Sequence, residues 1–255
     1  MRVVLTRPRH EAGRWAQALQ AHGHEVVLLP LIDIGPAPDL QALRRAAQGL
    51  SDFDAAMFVS GSAVQGFFRD AMHSAAWPAG TRAWCTGPGT AQALLAAGVP
   101  ADRIDAPPAD AAQFDSEALW ARVAAQARPG ARVLLVRGAG ADGQPAGRDW
   151  LASRLQAAGA AVDTVASYSR HAPVWGEVER AAASAAADDG SAWLFSSSEA
   201  IANLGELLPD RPWSRARAIA THERIARAAR DAGFGVVCLS RPAEAAVVAT
   251  LESFG

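Results

Sequence analysis

Short apolar runs alternate with alanine-rich stretches along the whole chain. The first, RVVLTR (2–7), gives way to a helical pattern from Glu11 to His22. Gly23 follows where a helix C-terminus needs a residue that tolerates positive φ. EVVLLPL (25–31) then resumes the strand pattern. Further strand candidates are AAMFVS (55–60), RAWCTG (82–87), RVLLVRG (132–138), AVDTVASY (161–168), SAWLFSS (191–197), RAIATH (217–222) and GVVCLS (235–240), with a weak one at RIDAP (103–107). Continuous apolar runs of this kind, each followed by a helix, predict parallel sheets covered on both faces.

The pattern also repeats. RVVLTRP (2–8) returns as RVLLVRG (132–138), and LQAHGHEV (19–26) returns as LQAAGAAV (155–162). FVSGSAV (58–64) lines up without a gap with FSSSEAI (195–201), and TGPGTAQALLAAG (86–98) with THERIARAARDAG (221–233). Four blocks in the same order at nearly constant separation point to a tandem duplication of one α/β unit of about five strands. Two similar domains with a cleft between them are the expected architecture, and such clefts are favoured ligand sites.

Composition narrows the function classes. The chain has 255 residues, 50% hydrophobic and 20% charged, with a formal net charge of −2. That is enough chain for two ordinary domains with proper cores, and it is unlike a disordered composition. No lysine-rich stripe or basic tail suggests nucleic acid as the partner. Cys85 and Cys238 lie far apart, each inside an apolar run, with no CxxC or Cys/His ligand spacing; two buried, reduced thiols are expected rather than a metal site. The histidines (10, 22, 24, 73, 171, 222) are scattered and read as solvated surface residues. The N-terminus enters a strand at once, without a signal-peptide pattern, and no apolar window reaches the ~20 residues that span a bilayer. A soluble cytoplasmic protein is expected, and no repeated apolar surface stripe suggests a partner, so a monomer is expected too.

The polar positions of the repeated blocks share one placement, where a strand ends and a helix begins. Ser60 and Ser62 end the first FVSGS block, and Ser196, Ser197 and Ser198 its counterpart. Thr86, Gly87, Gly89 and Thr90 precede one helix, Thr221 and His222 its equivalent. In open α/β sheets ligands bind outside the carboxyl ends of the strands, where unpaired amides and the helix dipole favour an anion. Plain N-capping is the competing reading of each hydroxyl. A G-x-S-x-G elbow is absent, and no acid is placed to orient His222, which argues against a serine hydrolase. The phosphate-loop pattern is absent, and GPGTAQA lacks dinucleotide-binding spacing. Arg7 and Arg137 end equivalent strands, either as forks for carboxylates or as surface arginines, and Arg148 is read as opening the next helix. Tyr168, the sole tyrosine, ends AVDTVASY ahead of the polar SRHAP. It either packs there or supplies a phenolic donor. Glu199 aligns with Ser62 just inside a helix and reads as structural.

Together these blocks resemble the uroporphyrinogen-III synthase family. The resemblance rests on LTRP near the start, FVSGSAV followed by GPGTAQALLAAG, VLLVRG with GRDWLASRLQAAGAAV, the tyrosine of ASYSRH, FSSSEAI and THERIARAARDAGF, in order over nearly the whole chain. It implies two doubly wound α/β domains, one built from residues 1–33 and 172–255 and the other from 36–168. LIDIGP (31–36) and YSRHAP (168–173) would form a two-stranded connector, with the active site in the cleft. The implied reaction needs no cofactor or metal. Linear hydroxymethylbilane loses its terminal hydroxyl as water, ring D inverts through a spiro intermediate, and the macrocycle closes. The substrate's eight carboxylates suit a cleft rimmed with amides, Ser and Thr. Tyr168 matches the family's tyrosine as donor to the departing hydroxyl; Ser60, Thr86, Ser197 and Thr221 match positions around the carboxylates. Arg7, Ser62, Gly87, Arg137 and Ser196 join them as expected substrate-binding residues. Val59 stands where the family often has threonine, and Ser62 where asparagine is common. Hand-over of substrate from the preceding deaminase is a further expectation. Two other readings compete: a non-catalytic bilobal anion-binding module, which has no need of Tyr168, and a bilobal transferase or periplasmic binder, which lacks its acidic motif or its export signal.

Overall fold

In chain order the elements are β1 (Arg2–Leu5), α1 (Arg9–Ala21), β2 (Glu25–Leu28), β3 (Asp33–Gly35), α2 (Leu40–Gln48), β4 (Ala55–Phe58), α3 (Gly61–Phe67), β5 (Arg82–Cys85), α4 (Pro88–Ala96), β6 (Ile104–Asp105) and α5 (Ser116–Val123). They continue as β7 (Arg132–Ala139), α6 (Trp150–Ala157), β8 (Ala161–His171), α7 (Glu177–Asp188), β9 (Ala192–Phe195), α8 (Ser198–Leu207), β10 (Arg217–Ala220), α9 (Glu223–Asp231), β11 (Val236–Leu239) and α10 (Glu244–Glu252). The computed structural model describes residues 1–72, 76–140 and 142–254. His73, grouped above with the surface histidines, lies outside the described residues.

The chain divides into two compact units, Met1–Asp33 with Ala172–Gly255 and Ile34–His171. The first holds a five-stranded sheet in the order β11-β10-β9-β1-β2, and the second a six-stranded sheet in the order β3-β8-β7-β4-β5-β6. Strand pairing is parallel throughout both main ladders. The α/β class with parallel sheets is therefore as the apolar runs predict. The sixth strand of the second sheet is β3, a short piece of the LIDIGP segment that lies beside β8.

Both faces of the second unit's sheet are covered at its centre, which is why β4 is apolar and buried at every position. Ala56, Phe58, Leu134 and Val136 pack on one side with Leu43 of α2, Val64 and Phe67 of α3 and Leu94 of α4. The alternate residues Ala55, Met57, Val133 and Leu135 pack on the other with Leu119 of α5 and Leu151 and Leu155 of α6. In the first unit, Val3, Leu5, Leu194 and Ile219 meet Trp15 and Leu19 of α1 and Val247 and Leu251 of α10. Trp193 and Phe195 join a ring cluster with Trp213 and Phe234, at centroid distances of 5.2–6.3 Å.

The duplication shows in backbone detail. After α1, Gly23 adopts φ 78° and His24 N donates to Leu19 O at 3.1 Å. After α6, Gly159 adopts φ 85° and Ala160 N donates to Leu155 O, also at 3.1 Å. These are the same Schellman stop in the two LQAxGxxV blocks.

Several local expectations need correction. The strands before α3, α4, α8 and α9 end two residues earlier than the apolar runs suggest, so their polar residues stand in the turns. β8 instead continues three residues past Tyr168. Arg148 lies in the loop ahead of α6, paired with Glu117, and does not open the helix. Cys85 is fully buried, and burial pushes its thiol up to about 11. Cys238 is only half-buried, because it sits on β11, a partly covered edge strand. The histidines are not uniformly solvated: both ring nitrogens of His24 are buried, and His171 Nε2 lies 2.9 Å from Ser169 Oγ.

At the far edge of the second sheet, Arg82 grips Asp105 through two bonds of 2.8 and 2.7 Å, and Gln126 Nε2 donates to the same carboxylate at 3.1 Å. Burial raises the Asp105 carboxyl pKa, but the bonds from Arg82 and Gln126 outweigh it and hold the group below its ordinary value. The folded-state value thus lies below the unfolded value of about 3.9. The network contributes fully above that pH and fades as pH falls toward the folded value.

Two measurements check this account. Gly159→Ala should lower stability by about 1 kcal/mol or more, since its φ is left-handed and a Cβ would meet Pro129 at 3.2 Å. Gly205→Ala, at an exposed position in the last turn of α8 with nothing within 4 Å, should raise it by up to about 0.5–1 kcal/mol; urea unfolding reads both signs. Asp105→Asn should cost about 1–3 kcal/mol at neutral pH and progressively less below pH ~4. A stability gap that stays constant through acid would refute the depressed carboxyl.

Candidate functional site

Each sheet has a point where the chain winds away in opposite directions. In the first unit β1 leads to β2 on one side, while β9 leads to β10 and β11 on the other. In the second unit β4 leads to β5 and β6, while β7 leads to β8. The loops leaving such a pair of strands diverge and open a crevice at their carboxyl ends, where ligands of open α/β sheets bind. The switch pairs are β1/β9 and β4/β7, and the sequence-derived residues fall on them. Arg7, Ser196 and Ser197 follow β1 and β9, Ser60 and Ser62 follow β4, and Arg137 sits in β7. Thr221 follows β10, and Thr86 and Gly87 follow β5, each one strand further out.

The hydroxyls divide by what they do. Ser60 Oγ caps α3 by accepting from Ala63 N at 3.1 Å, and Ser197 Oγ caps α8 by accepting from Glu199 N at 3.2 Å. The capping reading therefore holds for this equivalent pair, as a role each hydroxyl carries whatever else it does. Ser62 is inside α3 and only 4% exposed. Ser196, Thr86 and Thr221 are half-buried and precede the capping residues Ser197, Gly87 and His222. Gly87 has φ −162°, extended backbone that any residue adopts. His222 is itself the cap of α9, its Nδ1 accepting from Arg224 N at 3.1 Å.

The two arginines are not solvated surface residues, and each has a carboxylate partner in its own unit. The Arg7 guanidinium lies 4.7 Å over the Trp15 ring and 3.4 Å from Glu11 Oε2. Burial lowers its pKa, against the opposing pull of Glu11. Arg137 is 5% exposed and donates to Asp149 Oδ1 at 2.8 Å. Sequence spacing identified their equivalence but not these partners, which come from the following helix and loop. All 24 basic side chains of the chain are arginines, so it carries no side-chain amine for imine chemistry.

Tyr168 is held by an irregularity. β7 and β8 pair one-to-one up to Arg137↔Ala166, then resume at Gly138↔Tyr168, leaving Ser167 as an extra residue. A bulge of this kind re-aims the side chains beyond it. Val165 and Tyr168, three apart, accordingly share one core face. Ser167 Oγ donates to Ala63 O at 2.9 Å, which ties β8 to α3. The phenol is 4% exposed, and its oxygen lies 3.2 Å from Ser60 Oγ. Gly138 makes the room: a Cβ there would stand 2.6 Å from Tyr168 Cζ and 2.9 Å from the phenolic oxygen. The glycine breaking the apolar run RVLLVRG was the available signal, because glycine inside a strand marks a bulge or close approach.

Among the described residues no three His, Cys, Asp or Glu side chains gather as a metal-ligand set, and no helix is long and apolar enough to cross a membrane.

Comparison with known proteins gives a consistent result. A family model described as uroporphyrinogen-III synthase HemD matches residues 13–249. A uroporphyrinogen-III synthase from Synechococcus elongatus is 31% identical over 173 residues, which cover 67% of this chain and 61% of that protein's length. A mutant uroporphyrinogen III synthase from Thermus thermophilus matches with a TM-score of 0.56 at 16% identity, covering 100% of this chain and 97% of that one. The uroporphyrinogen-III synthetase of Helicobacter pylori matches with a TM-score of 0.58 at 14% identity, covering 100% of both. At those identities the two solved structures establish a shared fold.

Proposed function

The chain belongs to the uroporphyrinogen-III synthase HemD family, and we propose that it catalyses the family reaction, closing linear hydroxymethylbilane with inversion of ring D. The observation that carries the reading is the family match over residues 13–249, joined to hydroxyls at equivalent strand ends in both units. Loss of the terminal hydroxyl needs one proton or strong hydrogen bond at the departing oxygen, while the pyrrole nitrogen supplies the electron pair. The Tyr168–Ser60 pair supports that role, being two hydroxyls 3.2 Å apart beside the β4/β7 switch point. The carboxylates would be met by Thr86, Ser196, Ser197 and Thr221 and by the first-turn amides of α4, α8 and α9. Ring closure without inversion proceeds unaided, so the catalyst must hold one folded conformer and lower its transition state. Such a job calls for many short, neutral donors rather than a nucleophile. The same reading gives a cytoplasmic monomer that takes its labile substrate from the preceding deaminase. Arg7 and Arg137, with their guanidinium groups engaged inside their own units, would act by fixing the strand ends.

Purified protein given enzymatically generated hydroxymethylbilane should yield uroporphyrinogen III, read as the oxidised porphyrin isomers after separation. Isomer I alone, at the rate of the blank, would overturn the synthase reading. Tyr168→Phe should keep its unfolding midpoint within a small margin and lose about tenfold in kcat, the scale of one neutral hydrogen bond. Unchanged turnover would take the phenol out of the reaction.

A further inference from the structure

The phenol and its serine differ in what they can reach. Tyr168 is almost fully buried, whereas Ser60 is half-buried at the start of α3. Ser60 Oγ already accepts one bond from Ala63 N, which leaves it one lone pair and one proton for two neighbours, the phenol and whatever lies outside. If Ser60 donated to Tyr168, its remaining lone pair would face outward and repel the oxygens of a polycarboxylate. If Tyr168 donates, both serine lone pairs are filled and the serine proton points outward. A hydrogen bond received from a second hydroxyl in a poorly solvated setting strengthens the donor at the end of the chain.

We infer that Tyr168 acts through Ser60. The serine is the hydroxyl that meets a substrate oxygen, and Tyr168 and Gly138 are positioning residues that turn its proton outward. Gly138 belongs to the device because the phenolic oxygen occupies the space a side chain there would take, 2.9 Å from an added Cβ. The Ser167 bulge belongs to it because in a β8 of unbroken alternation the ring, three residues on from Val165, would face away from Val165 and α3. The inference rests on the synthase reading for the identity of the outer oxygen, but the coupling among the three residues does not.

The test has two arms on the full chain. In the first, kcat for formation of isomer III is measured for Ser60→Ala, Ser60→Thr, Tyr168→Phe and the double variant Ser60→Ala/Tyr168→Phe. Ser60→Ala and Tyr168→Phe should each lose about tenfold, Ser60→Thr should restore most of the rate, and the double variant should be no slower than Ser60→Ala. Losses that multiply in the double variant mean that the tyrosine reaches the substrate independently, and they overturn the proposal. In the second arm, without substrate, the near-ultraviolet titration of the chain's single tyrosine is followed. Its midpoint should move in Ser60→Ala and in Gly138→Ala, and return in Ser60→Thr; an unmoved midpoint in both overturns the coupling. Should Gly138→Ala fail to fold, the two serine variants decide this arm. If the wild-type protein makes isomer I alone, the synthase reading fails while the titration still judges the coupling.

Discussion

One slip in strand pairing organises the second unit's candidate chemistry. β7 and β8 pair over eight positions, and an uninterrupted ladder would carry every β8 side chain in strict alternation. The extra residue, Ser167, breaks the alternation toward the carboxyl end, the end at which open α/β sheets bind ligands. It bonds to the Ala63 carbonyl of α3 and brings Tyr168 onto the face where Ser60 stands. Gly66 of α3 must be small for the same reason, since a Cβ there would fall 2.1 Å from the Ser167 carbonyl oxygen. A buried phenol, a capping serine and two glycines therefore form a single packing solution, and changing any one member disturbs the others.

Much of the fold was legible because parallel strands buried on both faces leave an unambiguous trace, an apolar run with no alternation. Phe58 and Met57 point to opposite layers, yet both must be apolar. The repeat was legible because Gly23 and Gly159 stop their helices by the same backbone geometry, which only a few residues tolerate. The strand ends were less legible. Ser60 and Ser197 continue an apolar run in sequence, but their hydroxyls bind the next helix's amides and so end the strand.

The candidate site was legible in position more than in contacts. Equivalence between copies located Arg7 and Arg137, but Glu11, Trp15 and Asp149, which engage them, have no repeated spacing to betray them. The Ser60–Tyr168 pair joins residues far apart in the chain through a bulge, and a bulge has no periodic signal beyond a glycine in the run. Local rules read elements and caps well. They miss contacts created where the pairing rule is broken.

The three serines of WLFSSSEA show what duplication left unequal. Ser197 caps its helix as Ser60 does, but the stretch after β2 that corresponds to the end of β8 is the apolar LLPLI, with no hydroxyl to polarise a serine. The first unit therefore keeps Ser196 and Thr221 beside its helix starts, without a two-hydroxyl chain of this kind among the described residues.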